Sequence, residues 1–367
     1  MERTVYNKSN KGHIKGHYPA FLGDDLGVGS DVDISFPRIE ELKELQRSMF
    51  WSPREVNLQQ DAIDVIEADP VATDLMLKNI MWQQGMDSVA SRSIGAMLLP
   101  HATNPEVVRM LSEFQVFETY HEEAYSFIIR SLWKDNPKEI IQDIYNNEFV
   151  HKRIEMITES FDAVFNMHHS DNIELKKRNI AKALAVLMFA ENVCFMNSFT
   201  VTFQITEATG RYSGVSETVS KIAQDEQIHG IMSYEMMEAT KVDGWGYVYE
   251  SIKEDLQRTY DTILEGELAW VDYLFSEGRE LGVIGLTKES LKDQVKYFAW
   301  YTYQMAGLTP PFERVADMPI KSYDKYVDRS VIQSANQEIQ SVNYLAMTVD
   351  NNITPEDDFS FEGNLVF

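Results

Sequence analysis

A run of 23 residues, 183–205, contains a single formally charged side chain; its sequence is ALAVLMFAENVCFMNSFTVTFQI. A helix of that length can span a bilayer. Glu191, however, lies near the middle of the run, and Asn192, Asn197 and Gln204 follow it closely. A carboxylate at the centre of a bilayer is costly. We therefore predict a buried core helix of a large helical bundle, and no membrane span.

Helical periodicity dominates the rest of the chain. Apolar residues recur every three or four positions between Gly and Pro breaks, and alternating β-branched runs are nearly absent. The pattern therefore predicts an all-α fold. The predicted helices cover residues 36–51, 69–98, 104–132, 137–168, 173–208, 214–241, 247–278 and 287–307.

The predicted helices form one domain, 35–320, because no low-complexity linker interrupts them. Residues 1–34 are polar and rich in Gly, and we predict an irregular N-terminal arm. Residues 321–367 are predicted to be a C-terminal tail. Its last part, 344–367, has no helical period and mixes acidic with aromatic side chains. This composition is typical of a disordered segment that can fold onto a partner.

Net charge, cysteine content and the N-terminal residues exclude several classes of protein. The net charge of −25 argues against binding to nucleic acid or to an anionic membrane, because both require a basic surface. Cys194 is the only cysteine, which excludes a disulfide framework and favours a reducing cytoplasmic setting. Residues 1–21 show no apolar segment of the kind found in secretory signals. We expect a cytoplasmic protein.

Three Glu-x-x-His pairs occur in the chain: Glu118/His121, Glu148/His151 and Glu226/His229. On a helix this spacing places a carboxylate and an imidazole on one face, where both can hold one metal ion. The pair at 148/151 follows Asn146-Asn147 and precedes Lys152-Arg153. A Glu in a first helical turn is explained by the helix dipole, so we interpret this pair and its basic neighbours as surface.

The other two pairs lie in long helices with apolar neighbours. Each is preceded by a helix that offers one more carboxylate, Asp87 in the first case and Glu191 in the second. A buried, unpaired Glu191 would cost several kcal/mol unless it were protonated or bound to a cation. Ferritin-like di-iron proteins hold their metals with this combination of ligands, so we predict a ferritin-like four-helix core elaborated with additional helices. The predicted ligands are Asp87, Glu118, His121, Glu191, Glu226 and His229.

Four carboxylates and two neutral imidazoles carry four negative charges, which two divalent cations neutralise. Oxygen ligands with imidazole suit iron or manganese better than zinc, whose structural sites favour thiolates. Tyr125 lies one turn beyond His121 on the same helix face, close enough for a phenol to lose an electron to an oxidised metal pair. Phe195, Phe199 and Ile222 are predicted to close a dry pocket around it.

Several of these motifs together resemble the radical-generating small subunit of class I ribonucleotide reductase. They are FWSPREV at 50–56, E-x-x-H-x-x-x-Y at 118–125, E-x3-F-x3-F at 191–199 and DEQIH at 225–229. The resemblance implies that Asp87, Glu118 and His121 hold one iron ion and that Glu191, Glu226 and His229 hold the other. Glu118 and Glu226 would bridge the two. Manganese remains an alternative to iron.

The resemblance also implies a function. After O2 reacts with the reduced metals, Tyr125 would become a stored radical that serves ribonucleoside-diphosphate reduction, a reaction dependent on thioredoxin or glutaredoxin. A relay of Trp51, Asp225 and His121 would connect the metal site to the surface. Tyr344, assisted by Glu338, would continue the relay.

A large subunit, bound by the final residues of the tail, would hold the nucleotide and the reactive thiols. The small subunit would be a homodimer. This chain has one cysteine and cannot supply a thiol pair itself.

Two other functions remain open from the residues alone. One is a di-metal oxidase or monooxygenase built on the same bundle, and the other is a ferritin-like metal-storage protein. Tyr125, Trp51 and Tyr344 together argue against the first. Storage needs no relay tail, which argues against the second.

Overall fold

The computed structural model describes residues 4–29, 32, 34–167 and 170–327. Within these residues the secondary structure is helical, and no β-strand occurs beyond two isolated bridges, which confirms the predicted all-α fold. The helices are α1 Gly12–Lys15, α2 Pro37–Ser48, α3 Gln59–Glu67, α4 Pro70–Ser93, α5 Pro105–Leu132, α6 Pro137–Asn146, α7 Glu148–Phe165, α8 Ile173–Phe189, α9 Met196–Thr209, α10 Ser213–Thr240, α11 Gly246–Leu274, α12 Lys288–Met305 and α13 Ser322–Val327.

Four long helical segments form the centre of the fold. Helix α4 packs on α5 and α9, and α10 packs on α8, α9 and α5. Around this core, α2 covers α5 and α10, while α11 lies against α7, α8 and α12. Most buried side chains are apolar, but several titratable groups are buried among them.

Local capping sets where the long helices begin. Asp69 accepts hydrogen bonds from the backbone N–H groups of Val71 and Ala72 at the start of α4. Asn104 accepts one from Val107 at the start of α5, and Pro105 occupies the first helical position. These side chains satisfy N–H groups that have no partner inside the helix.

The apolar run forms part of one long helix, Ile173–Thr209, and its most apolar 18-residue window is wholly buried inside the protein. This is the behaviour predicted for the core helix of a soluble bundle. Inside it, α8 passes into α9 through a π-helical turn, Ala190–Phe195, which the periodicity did not predict. Such turns occur frequently at functional sites, and this one carries Glu191.

Several predicted boundaries are wrong. The helix expected over 137–168 is two helices, because Asn147 ends α6 and caps α7 through the N–H groups of Phe149 and Val150. The break expected between 241 and 247 is a kink: Gly244 adopts a φ of 86° inside a π-helical turn, Lys241–Trp245, which joins α10 to α11. Helices α3 and α13 were not predicted.

Both ends of the described chain pack against the bundle. In the N-terminal arm, His17 and the backbone N–H of Ala20 bind Asp243, both at 2.7 Å, and thereby attach the arm to the α10–α11 turn. At the other end, α13 packs on α9 and α10, so the packed part of the chain extends to Val327. Residues 328–367, including Glu338 and Tyr344, lie outside the described residues.

Candidate metal centre

All six predicted ligands are fully buried or nearly so. They come from the four segments at the centre of the fold: Asp87 from α4, Glu118 and His121 from α5, Glu191 from the π-helical turn, and Glu226 and His229 from α10. The fold therefore supplies two helices with a Glu-x-x-His pair and two with a single carboxylate. This is the arrangement of a di-metal carboxylate bundle.

Four of the six have ligand atoms within 4.8 Å of one another: those of Glu118, His121, Glu226 and His229. The Nδ1 atom of His229 lies 2.8 Å from Glu118 and 2.6 Å from Glu226. The Nδ1 atom of His121 lies 3.1 Å from Glu226. Glu118 and Glu226 thus each lie beside the histidine of the other pair, and the two pairs form one cluster.

Asp87 and Glu191 complete the cluster electrostatically. Burial raises the pKa of Asp87 well above its usual range, and the charges of Glu118 and Glu226 raise it further. The pKa of Glu191 is raised in the same way, by burial and then by Glu226 and Glu118. Among the described residues, neither oxygen of the Asp87 carboxylate has a hydrogen-bond partner. Both groups therefore need a cation in order to carry charge at this depth.

The two histidines and Glu226 show how the cluster balances its charge. Burial alone would lower the pKa of His229, but Glu226 and Glu118 raise it to about 9. Burial alone would raise the pKa of Glu226, but His121 and His229 lower it to about 2. Protons on the imidazoles thus compensate the carboxylates. Divalent cations can take over that compensation, and the donor set fits two of them.

Tyr125 lies on α5, one turn beyond His121, and is fully buried. Its hydroxyl has no hydrogen-bond partner among the described residues. Burial raises its pKa well above the usual value, with further contributions from Asp87, Glu226 and Glu118, so the phenol stays protonated. The predicted pocket residues are fully buried as well: Phe195, Phe199 and Ile222. The roles of these four residues remain predictions.

A hydrogen-bonded chain leads away from His121. Its Nε2 atom lies 3.2 Å from Oδ2 of Asp225, which also accepts a hydrogen bond of 2.7 Å from the indole of Trp51. The two rings are nearly parallel, at 15°, with centroids 6.2 Å apart. The structure thus brings together the three residues proposed as a relay from the sequence.

Two contacts at the site were not predicted from the sequence. Gln46 donates a hydrogen bond of 2.8 Å to the second oxygen of Asp225. Gln46 lies on the buried face of α2 with Ile39 and Leu42. In the sequence, the sign of such a contact is a polar residue that falls on the apolar face of a predicted helix. Phe114 stacks on His229 with ring centroids 3.9 Å apart. It lies one turn before Glu118, among residues expected to face inward.

The pair Glu148/His151 is separate from the cluster. Glu148 is exposed in the first turn of α7, and His151 contacts the carbonyl of Tyr145, as expected for a surface pair. The prediction that its basic neighbours are also on the surface is wrong for one of them. Lys152 is exposed, but Arg153 is buried and pairs with Glu267.

Comparison with known proteins identifies the family. The profile of the family described as "Ribonucleotide reductase, small chain" matches residues 32–319. The chain belongs to this family. The beta subunit of ribonucleoside-diphosphate reductase 1 from Escherichia coli O157:H7 is 27% identical, over 99% of this chain and 100% of its own length. The beta subunit from Haemophilus influenzae is also 27% identical, over 98% and 100%.

Solved structures share the fold. The ribonucleotide reductase R2 subunit from Clostridium botulinum superposes with a TM-score of 0.78 at 17% identity, covering 89% of this chain and 98% of its own. The dimanganese(II) NrdF of Streptococcus sanguinis gives a TM-score of 0.64 at 19% identity, covering 82% and 99%. These matches confirm the predicted ferritin-like fold.

Membership of the ribonucleotide reductase small-chain family also confirms the predicted function, that of a ribonucleotide reductase small subunit and an oxidoreductase. The cluster of Glu and His residues supports the predicted di-metal site. Small chains of this family work with a large subunit. Neither the storage protein nor the monooxygenase considered from the sequence is favoured by these comparisons.

Proposed function

We propose that this chain generates and stores a radical at Tyr125 and delivers it to a large subunit, which reduces ribonucleoside diphosphates to the deoxyribonucleotides used for DNA synthesis. The observation that carries the proposal is the position of a buried phenol one turn from His121, beside six buried metal-ligand side chains. A storage protein would require the ligands but would have no use for the phenol or for the Trp51 chain.

We assign Asp87, Glu118 and His121 to one metal ion and Glu191, Glu226 and His229 to the other, with Glu118 and Glu226 as bridges. The bridging roles are supported by contacts across the two pairs: His229 lies beside Glu118, and His121 lies beside Glu226. We expect iron in both positions. Manganese is the alternative, since the similar chain from Streptococcus sanguinis is described as dimanganese(II).

When bound, two redox-active metals supply the reaction with O2 and the oxidising power that no side chain in this cluster has. The protein contributes a dry environment and a fixed phenol. With both metals bound, Tyr125 would give up one electron and its phenolic proton. Asp87 exerts the largest electrostatic influence on Tyr125 of the three nearby carboxylates, and it is our candidate acceptor for that proton.

The relay to the partner would begin at His121 and pass through Asp225 to Trp51. The carboxylate holds the imidazole by Nε2, which leaves Nδ1 for the metal. An indole bound to a carboxylate is suited to coupled loss of an electron and a proton. We propose that Tyr344 continues this relay with help from Glu338, and that the final residues of the tail bind the large subunit. We also expect a cytoplasmic homodimer.

Reconstitution with each metal tests the proposal. Metal-free protein is loaded separately with Fe(II) and with Mn(II) in air, metals are counted per chain, and the radical is recorded by visible spectroscopy and electron paramagnetic resonance. We expect two metal ions per chain and a tyrosyl signal with the active metal, and nucleotide reduction once the cognate large subunit is added. Uptake of many metal ions per chain without a radical would instead indicate storage.

A further inference from the structure

A second buried ionic cluster lies behind the metal centre, centred on Arg153 of α7. Its guanidinium forms a two-point ion pair with Glu267 of α11, through Nε and through Nη2, the latter at 2.6 Å. Nη2 also donates a hydrogen bond of 3.0 Å to the carbonyl of Cys194, inside the π-helical turn that carries Glu191. Arg153 and Glu267 are both fully buried.

Two tryptophans flank this guanidinium. Its carbon lies 3.4 Å from the ring centroid of Trp82 and 5.0 Å from that of Trp270. Both indoles are fully buried or nearly so. A cation over a buried indole is a strong cation–π arrangement. A positive charge so close also opposes removal of an electron from the ring, because the oxidised ring would carry charge of the same sign.

These indoles lead away from the metal centre by a path separate from that of Trp51. Trp82 lies 5.1 Å from Phe195 between ring centroids and five residues before Asp87 on α4, about 7.5 Å along the helix axis. On the far side, the ring of Trp270 lies 5.3 Å from that of Tyr273, which is buried at 7% exposure and stacks on the exposed ring of Phe149 at 4.2 Å. The aromatic path Trp82–Trp270–Tyr273 therefore runs from the metal centre to a ring just beneath the surface, and the guanidinium of Arg153 contacts both of its indoles.

This path offers a side reaction. Trp82 could give one electron to the oxidised metal site in place of Tyr125. The hole left on its indole would pass to Trp270 and then to Tyr273, which retains 7% exposure and would lose its phenolic proton to bulk water. One oxidising equivalent would be lost from the site. Trp82 cannot easily stabilise the hole by losing a proton, because its Nε1 has no hydrogen-bond partner among the described residues.

We propose that Arg153 is a positioning residue of the radical chemistry: by its charge it makes Trp82 and Trp270 harder to oxidise, and so keeps the oxidising equivalent at Tyr125. The inference rests on the proposed function of Tyr125. Glu267 and the Cys194 carbonyl act through Arg153, since they fix the guanidinium over the indole. A purely structural pair would stabilise the bundle without any influence on which side chain is oxidised.

The test replaces the whole pair, because removing one partner would leave a buried charge. Two pair variants are prepared, Arg153→Gln/Glu267→Gln and Arg153→Met/Glu267→Leu, each with and without Trp82→Phe. Arg153→Lys keeps the charge but not the two-point geometry. Folding is followed by circular dichroism and metal content by elemental analysis. The radical is recorded by electron paramagnetic resonance on protein with deuterated indole rings, which separates tryptophan from tyrosine signals.

We expect normal metal content in the pair variants. The yield of Tyr125 radical per metal pair should fall by about tenfold, which is the change in rate that corresponds to the loss of a buried cation–π contact. A transient tryptophan signal should replace it. Trp82→Phe should restore the Tyr125 radical in the same background, and Arg153→Lys should retain most of it. An unchanged yield in a folded pair variant would overturn the proposal. So would a loss that Trp82→Phe does not reverse, since that is the result of a structural role.

A metal-free measurement separates this inference from the proposed function. Holes are generated photochemically on the protein surface, and oxidised tryptophans are mapped by mass spectrometry, with Trp133 as the internal reference. Oxidation of Trp82 relative to Trp133 should rise by about tenfold from wild type to the pair variants. Equal ratios would contradict a role for the charge of Arg153. Failure of the wild type to form any Tyr125 radical would contradict the proposed function and leave this measurement valid.

Discussion

Trp51 and His121 bind the same oxygen of one carboxylate, Oδ2 of Asp225, at 2.7 Å and 3.2 Å. The carboxylate therefore connects an indole three residues beyond the end of α2 to an imidazole at the metal centre. It also fixes the orientation of the imidazole, with Nδ1 directed towards Glu226. Orientation of a metal-binding histidine by a carboxylate is a common device. Here the same carboxylate also extends the chain towards the surface.

This relationship predicts the behaviour of Trp51→Phe. Asp225 keeps His121 and Gln46 as partners, so the loss of one N–H should lower the free energy of unfolding by about 1 kcal/mol. Metal content and the Tyr125 radical should persist, while nucleotide reduction with the large subunit should fall to background. Trp133→Phe serves as the matched control. Full turnover of Trp51→Phe would exclude Trp51 from the relay.

Replacing Glu191 should separate metal binding from stability. Glu191→Met keeps the length of the side chain but removes a buried carboxylate, so metal occupancy should fall below two ions per chain. The metal-free variant should be more stable than metal-free wild type, by about 1–3 kcal/mol. The control is Glu148→Met, which changes an exposed glutamate of the surface pair. If Glu191→Met still binds two metal ions, the six-ligand set is incorrect.

The metal-free protein should lose stability as the pH rises. The raised pKa of His229, about 9, means that its contribution is fully present below pH 6.5 and disappears as the pH rises through 9. Asp87 and Glu191, whose pKa values are also raised, act in the same direction. The free energy of unfolding should therefore fall between pH 6.5 and 9, by about 3 kcal/mol for His229 at most. Denaturant titrations of metal-free protein at the two pH values measure it.

Metal binding should release protons in the same pH range, because a coordinated imidazole must be neutral. At pH 7.5 the apparent binding enthalpy should therefore change with the ionisation enthalpy of the buffer. A binding enthalpy that is independent of the buffer, or stability that rises from pH 6.5 to 9, would contradict the charge balance described for the cluster.

The tail can be tested apart from the bundle. The metal ligands and Tyr125 all lie in the helical bundle, before the tail that the sequence predicts. Deleting 345–367 should therefore leave metal content, the Tyr125 radical and the melting temperature nearly unchanged. It should abolish binding to the large subunit and turnover. Tyr344→Phe should bind but not turn over, because phenylalanine is not reversibly oxidised under biological conditions. Turnover by the truncated chain would show that the tail is dispensable.

The sequence predicted most helices correctly because their signals are local. Asn104 and Pro105 lie next to the N–H groups that they cap or replace, so the start of α5 could be predicted from the residues there. The π-helical turn Ala190–Phe195 has no such signal, because it depends on how neighbouring helices pack against the apolar run. The break at Asn147 was obscured by an apolar period that continues across it.

The same distinction applies to the site. The four ligands of the two pairs could be predicted because Glu and His recur at helical spacing within long apolar helices. Gln46 and Arg153 could not, because their partners, Asp225 and Glu267, are 179 and 114 residues away along the chain. Arg153 was even predicted to be exposed, since its sequence neighbours are charged and polar. Only the tertiary packing of α7 on α11 explains its burial.

The most direct test of the account is the radical signal of Tyr125→Phe. Because the Tyr125 hydroxyl has no hydrogen-bond partner among the described residues, its removal should change the free energy of unfolding by about 1 kcal/mol or less. Wild type and variant are reconstituted side by side with Fe(II) and O2, and separately with Mn(II), and metals and radicals are counted per chain. The account predicts equal metal content, a tyrosyl radical in wild type and none in Tyr125→Phe. An unchanged tyrosyl radical in the variant would contradict it.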